Sequence, residues 1–389
     1  LENPHGCIMT LVPKKGLAAQ REKELEEKLE AYRSSLSEEQ LDAMVEKTKA
    51  LEAYQEAGED PKALECIPML KRSDIKREAA KIINEELTVD DSLLLYHDVC
   101  TNGIGYVDLM FKTDSIAPEQ IPYLGLLKSV LGYVDTEHYT YGELFNEINA
   151  NTGGINCGVE VFDRADSTEE FQAMFSVRGK ALYTKMDFLF KMIGEILNSS
   201  KLEDTKRLYE IVASVKSRAQ VNLTGAGHST AVLRAAAYSS PMAAFQDEMA
   251  GIGYYQFIEK LEKDFEQRKE ETVEELCKLM KKILRPENFM ISYTGERESL
   301  ETVQKLAGAV KAGLGTEPVE KSKEKLTCTK KNEGFKTSGQ VQYVAQTGNF
   351  KKKGLEYTGA LEILKVILSY DYLWMNLRVK GGAYGLSLI

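Results

Sequence analysis

The run LLLYHDVCTNGIGYVDLMFK at residues 93–112 decides how the chain reads. On its second half Val107, Leu109 and Phe111 fall on one face and Asp108 on the other, the two-residue period of a half-buried strand. With an apolar run before it and Thr101-Asn102-Gly103 between, the stretch predicts two strands, 93–99 and 105–112, paired around a turn. Outward from it, 3.6-residue spacing predicts helices over 118–132 and 139–151, and a strand pair follows over 154–163 and 170–179. Helical runs come next near 181–198, 204–219, 229–238, 243–250 and 268–284, then a strand over 288–293 and a helix near 298–311. Grouped strands with helices between them, and no regular βαβ alternation, predict an α+β fold with an antiparallel sheet covered by helices on one side.

Both flanks differ in texture. Residues 18–57 are dense in Glu and Lys, with Leu25, Leu29, Tyr32, Leu41, Met44, Val45 and Leu51 at helical spacing and a break at Ser34-Ser35-Leu36-Ser37. Ser37 followed by Gln40 predicts a capping box for a second helix, hence a helical hairpin that ends at Gly58-Glu59-Asp60-Pro61 and runs into an extended connector around Pro68. Two narrow apolar stripes suit a strut against a larger body, the competing reading being a free-standing coiled-coil module. Downstream, 315–334 is rich in Lys, Glu and Thr and reads as a linker. Val341, Tyr343 and Ala345 alternate as a strand, and Leu361, Leu364, Leu368 and Tyr372 stripe a helix, the expected start of a second α+β domain that the chain truncates. The expected division is therefore 1–77 hairpin linker, 78–314 α+β domain, 315–334 linker and 335–389 start of a further α+β domain. Leu1 is not methionine and the last residues are strand-like, so the chain is expected to be an internal piece of a longer polypeptide.

Composition narrows the function classes. A net charge of −10 over 389 residues argues against nucleic acid, whose phosphates require clustered uncompensated Lys and Arg. Solubility is the ordinary meaning of such charge; an acidic cavity favouring basic peptides is the other. Six cysteines without a C-x-x-C pair read as free thiols of a reducing compartment, which gives the sequons at Asn198 and Asn222 little weight. No run approaches the roughly 18 apolar residues of a membrane span. The expectation is a soluble intracellular protein, cytoplasmic in a bacterium, with an organelle left open.

The chemistry-bearing candidate is Asn376-Leu377-Arg378-Val379-Lys380-Gly381-Gly382-Ala383-Tyr384-Gly385. The glycines permit positive φ and close approach of a ligand, while guanidinium and phenol donate to peptide carbonyls or an oxyanion. The same residues also make a helix stop, with an arginine set favourably against the macrodipole. His5, His97, His138 and His228 stand apart, none with a second histidine three to five residues away. Gly225-Ala226-Gly227-His228-Ser229 lacks both the G-x-S-x-G order and a P-loop lysine, and reads as a loop capping the 229–238 helix. Glu143, Glu147, Glu160 and Asp163 read as solvated faces, and Gly153-Gly154 as a tight helix-to-strand turn.

The ending resembles the R-x-K-G-G-A-Y-G segment in the C-terminal half of the pitrilysin/insulinase zinc metallopeptidases, presequence-protease branch. Asn3-Pro4-His5, the hairpin, Ala63-Leu64-Glu65-Cys66-Ile67-Pro68-Met69-Leu70 and Asp74-Ile75 resemble the linker joining the halves of those enzymes. Thr101-Asn102-Gly103-Ile104-Gly105-Tyr106, Tyr141-Gly142-Glu143-Leu144 with Gly153-Gly154-Ile155, and Gly227-His228 leading to Ala235-Ala236-Ala237 resemble its third domain. The resemblance implies a metallopeptidase-type α/β roll that lines an enclosed chamber for unfolded peptides. It implies that zinc is held by the other, N-terminal half of the polypeptide, since the inverted H-x-x-E-H motif is absent here. It further implies that Arg378 and Tyr384 bind substrate and stabilise its oxyanion, that no residue of this chain binds metal or cofactor, and that the chain alone is inactive. The rival readings are a catalytically inactive structural or assembly subunit of the same superfamily and a peptide-binding scaffold of other ancestry.

Overall fold

In the computed structural model, which describes every residue except 1–4, 8, 165, 323–325, 338, 340 and 389, the chain divides into two units, 1–80 and 81–389. The Asn3-Pro4 start of the linker-like sequence lies outside the described residues. The first unit is built on helices α1 (Leu17–Ser35) and α2 (Glu38–Glu56). The break between them is chemical: Ser37 Oγ accepts from Gln40 N and Gln40 Oε1 accepts from Ser37 N, which satisfies two otherwise orphaned donors. A one-turn helix α3 (Pro61–Leu64) follows, with Asp60 as its cap and Pro61 at its first position.

The second unit holds a six-stranded sheet in the order β1-β2-β6-β3-β5-β4. Its strands are β1 (Glu85–Val89), β2 (Ser92–Asp98), β3 (Ile104–Lys112), β4 (Ile155–Asp163), β5 (Phe171–Leu182) and β6 (Phe289–Gly295). Around them lie α4 (Ile121–Val130), α5 (Tyr141–Asn151), α6 (Met186–Ser199), α7 (Thr205–Gly225), α8 (Gly227–Ala237), α9 (Pro241–Ala250), α10 (Ile252–Lys263), α11 (Phe265–Ile283) and α12 (Leu300–Ala312). On one face Leu94, Tyr96, Leu109, Phe175, Ile291 and Tyr293 are wholly buried beneath helices, whereas on the other Leu93 and Tyr106 are about two-fifths exposed. The α+β class with helices on one side is therefore observed.

Three local expectations are corrected. The strands at 92–98 and 104–112 do not pair with each other, because β6 lies between them, parallel to β2 and antiparallel to β3. Two strand spacings are about 9.6 Å, well within reach of the five connecting residues 99–103, and the apolar period of Phe289, Ile291 and Tyr293 fits the buried slot. One pair in an otherwise antiparallel sheet is thus parallel. The true partner of β2 on its other side is β1, through a turn in which Asp90 and Asp91 both take positive φ, 45° and 64°. Such a pair of left-handed residues matches the twist of a hairpin. Next, α10 (Ile252–Lys263) falls between the expected helices 243–250 and 268–284 and was not among them; Gly251 and Gly253 stand at its start. Asp247 Oδ1 and Oδ2 accept from Ile252 N at 3.0 Å and Gly253 N at 3.2 Å, so a buried aspartate from α9 caps the new helix.

The third correction concerns 341–345, which form no strand: the segment lies by the junction of α7 and α8, where Tyr343 Oη donates to the Thr224 carbonyl at 3.4 Å, and pairs with neither edge of the sheet. Tyr343 instead packs on Gly227, where any Cβ would collide with its ring. Residues 315–334 carry no helix or strand among the described positions, yet Glu333 accepts from Arg234 at 2.8 and 3.0 Å and from Tyr238 at 2.5 Å, which fastens the segment to α8. Beyond it, α13 (Gly359–Ile367) runs into a π-helical stretch, Leu368–Lys380, and neither buries a residue.

Candidate functional site

The C-terminal turn gathers the two residues singled out from sequence. The π-helical stretch ends at Gly381, where a Cβ would come within 2.8 Å of the Leu377 carbonyl, and Gly382 follows with φ of 69°. Only glycine tolerates both conditions cheaply. The reversal lets Ala383 N donate to Leu377 O at 2.9 Å and brings the Ala383 carbonyl within 3.0 Å of Arg378 Nη1. The guanidinium then lies 5.7 Å from the Trp374 ring and 5.6 Å from the Tyr384 ring. Arg378 is half-buried, stacked and oriented, and the Tyr384 side chain is 88% exposed. Chemically the pair offers guanidinium N–H donors and one phenolic O–H, with nothing between them and solvent on the tyrosine side.

The open face of the sheet carries a second polar group of residues. Asp108 and Arg178 are register partners on β3 and β5; Arg178 Nε donates to Asp108 Oδ2 at 2.7 Å and Nη1 reaches Glu160 on β4 at 3.1 Å. Burial pushes the Asp108 carboxyl above its ordinary range, and the Arg178 hydrogen bond offsets this only in part. Asp108 Oδ1 and the buried Ser176 Oγ have no partner among the described residues. The sequence reading placed Glu160 on a solvated face and passed over Arg178 and Ser176. Their signal was available, as polar positions alternating with apolar ones on the strand-like 171–182 run.

The remaining candidates have structural roles. Glu143 closes a capping box with Thr140 at the start of α5, and Glu147 accepts from Asn151. Asp163 is exposed at the end of β4. Gly154 takes φ of 105° and Gly153 N donates to Lys180 O at 2.7 Å, so this pair turns the chain from α5 into β4. His97 Nδ1 lies 2.7 Å from the Ile83 carbonyl, His138 pairs with Glu195 at 3.0 Å, and His228 sits in the first turn of α8 with its ring 6.3 Å from that of Tyr343. Among the described residues no group of three or more His, Cys, Asp or Glu side chains could hold a metal ion. None of the described helices is long and apolar enough to cross a membrane.

Comparison with known proteins adds the following. The family model for the region associated with peptidases of family M16, subfamily C, matches residues 11–261. The chain is 36% identical over 385 residues to Protein HypA of Clostridium perfringens (strain 13 / Type A), covering 99% of this chain and 39% of that protein. It is 28% identical over 389 residues to Presequence protease 1, chloroplastic/mitochondrial, of Arabidopsis thaliana, covering 99% of this chain and 36% of the relative. The chain thus spans under two-fifths of the length of these curated relatives. Among solved structures, a peptidase M16 inactive domain from Pseudomonas fluorescens superposes with a TM-score of 0.41 at 15% identity, over 61% of this chain and 53% of that one, a likeness too partial to build on.

Proposed function

The chain belongs to the family associated with M16 peptidases of subfamily C, and from that premise we propose that it is the C-terminal, non-zinc-binding half of a zinc metalloendopeptidase that degrades unfolded peptides in an enclosed chamber. The observation that carries the reading is similarity along 99% of the chain to proteins named presequence proteases, in a sequence that lacks H-x-x-E-H. With no H-x-x-E-H in the sequence, metal and general base would in this reading come from the N-terminal half of the same polypeptide. Residues 1–77 are read as the linker between halves, 78–314 as the third domain with its open sheet face toward the chamber, and 335–389 as the beginning of the fourth.

In this reading Tyr384 donates its hydroxyl proton to the scissile carbonyl as negative charge develops there. Arg378, held by the Ala383 carbonyl and two aromatic rings, binds a neighbouring carbonyl and fixes register. The exposure of Tyr384 supports the assignment, since a donor meant for a substrate has to be unspent in the free protein. The test is fluorogenic-peptide cleavage by the full-length protein and by this chain alone, with and without chelator. Chelator-sensitive cleavage by the full-length protein only is expected, and Tyr384→Phe should lower kcat by about 100- to 1,000-fold, the usual loss for one oxyanion donor. Silence from zinc-loaded full-length protein would make the chain part of an inactive structural or assembly subunit. Full turnover in Tyr384→Phe would remove that residue from the site.

A further inference from the structure

Between residues 315 and 388 none of the described residues is buried, and among them no helix or strand starts before residue 351. Individual contacts, not a core of its own, therefore hold this stretch to its unit, and it carries Arg378 and Tyr384 at its far end. Three successive contacts lie along one helix. Glu333 binds Arg234 and Tyr238 near the end of α8, Tyr343 packs on Gly227 at its start, and Lys352 Nζ donates to the Ser239 carbonyl just beyond it at 2.8 Å. Lys352 also pairs with Glu169 at 2.7 Å, which brings the β4–β5 connection into the same hold.

The Arg234 contact is the one built into the interior. Its Nε and Nη2 donate to the two Glu333 oxygens at 2.8 and 3.0 Å, while Nη1 donates to Asp247 at 2.6 Å. The Arg234 side chain is only 11% exposed and that of Asp247 only 2%. The Phe335 ring stands 5.9 Å from the guanidinium carbon, and the Arg234 hydrogen bond leads the effects that hold the Glu333 carboxyl down at about 2. Asp247 is the residue that caps α10, so one guanidinium ties the stretch to α8 and, through Asp247, to the start of α10. Stability alone is a weak account of such a group. A buried ion pair returns little more than its desolvation costs, whereas a planar fork on a carboxylate admits one arrangement.

We propose that Arg234 is a positioning residue for the donors of the C-terminal turn: by fixing Glu333 against α8 it sets the course of the stretch, and so where Arg378 and Tyr384 stand. This rests on the peptidase reading above, and the two can fail separately. Trp374 is the only tryptophan of the chain and lies beside Arg378, so its time-resolved fluorescence anisotropy reads the mobility of that turn. In this chain Glu333→Gln and Arg234→Lys should each enlarge the fast component of the decay, with the thermal transition retained. Should Arg234→Lys fail to fold, Glu333→Gln carries the test, since it leaves the Arg234 pair with Asp247 in place. In the full-length protein Glu333→Gln should lower kcat about tenfold with KM little changed, because a donor displaced by about an ångström loses its contact with the transition state. On a Tyr384→Phe background the same change should cost far less, since the donor that it places is already gone. Unchanged anisotropy in both variants overturns the proposal. So does a looser turn with unchanged kcat, or a loss that multiplies in full with that of Tyr384→Phe. A full-length parent that cleaves no peptide would remove the peptidase reading and the kinetic half of the proposal with it, while the anisotropy would still decide whether Arg234 places the turn.

Discussion

Glu296 shows how one side chain positions a whole turn. Its carboxylate accepts from Thr101 N at 3.3 Å, Thr101 Oγ1 at 3.4 Å and Gly103 N at 3.4 Å, and from the Tyr183 hydroxyl in a very short contact. The Tyr183 hydrogen bond leads the effects that hold this carboxyl down at about 2. A folded value below the unfolded carboxylate value of about 4.3 means that the stabilisation is present above that pH and is lost as pH falls toward 2. Asp108 has the opposite sign: its raised carboxyl favours the fold at low pH and loses that contribution as pH rises. Glu296→Gln should therefore be less stable than the parent in urea at pH 7, with the gap closing toward pH 3. A gap that stays constant with pH would show that the carboxylate charge is not what matters. Nothing in the sequence marked Glu296, because its partners lie 113 to 195 residues away.

At the scale of elements, local chemistry was legible and pairing was not. The capping box of α2 depends on atoms within three residues, and the sequence announced it; the Gly153-Gly154 turn was also legible from its glycines, with Gly154 N on Thr152 Oγ1 as the local bond and Lys180 O as the distant one. Because α2 buries no residue, its cap is not backed by packing. Ser37→Ala should cost about 1 kcal/mol of helix stability and speed hydrogen exchange across 38–56, with Ser37→Asp restoring protection. Unchanged exchange would mean that another contact holds the helix start. By contrast, an apolar alternation does not say which strand will lie alongside, and β6 arrives between β2 and β3 from some 180 residues downstream. The alternation at 341–345 failed for the same reason, since periodicity supplies a face but no neighbour. At α10, Asp247 lies five and six residues before the donors it caps, outside the spacing of ordinary N-caps.

For the whole molecule, the division near residue 80 falls where 75–84 are irregular and exposed, with Arg77 and Lys81 accessible. Limited trypsinolysis should cut there first and leave a body starting near Ile82 whose melting transition is retained; early cuts inside β3 or α6 would contradict the division. The α+β class, the two N-terminal helices with their break before Ser37, most other helices, and the segments that carry the family resemblance were determined by sequence alone. They rest on periods, caps and turn residues, whose physics is confined to neighbouring residues. The tertiary structure decided the strand order with its one parallel pair, the Asp108–Arg178–Glu160 group on the open face, and the Arg234 group that joins α8, α9 and Glu333. Each of these joins residues far apart in the chain, and their proximity follows from burying one continuous apolar face, which no local pattern encodes.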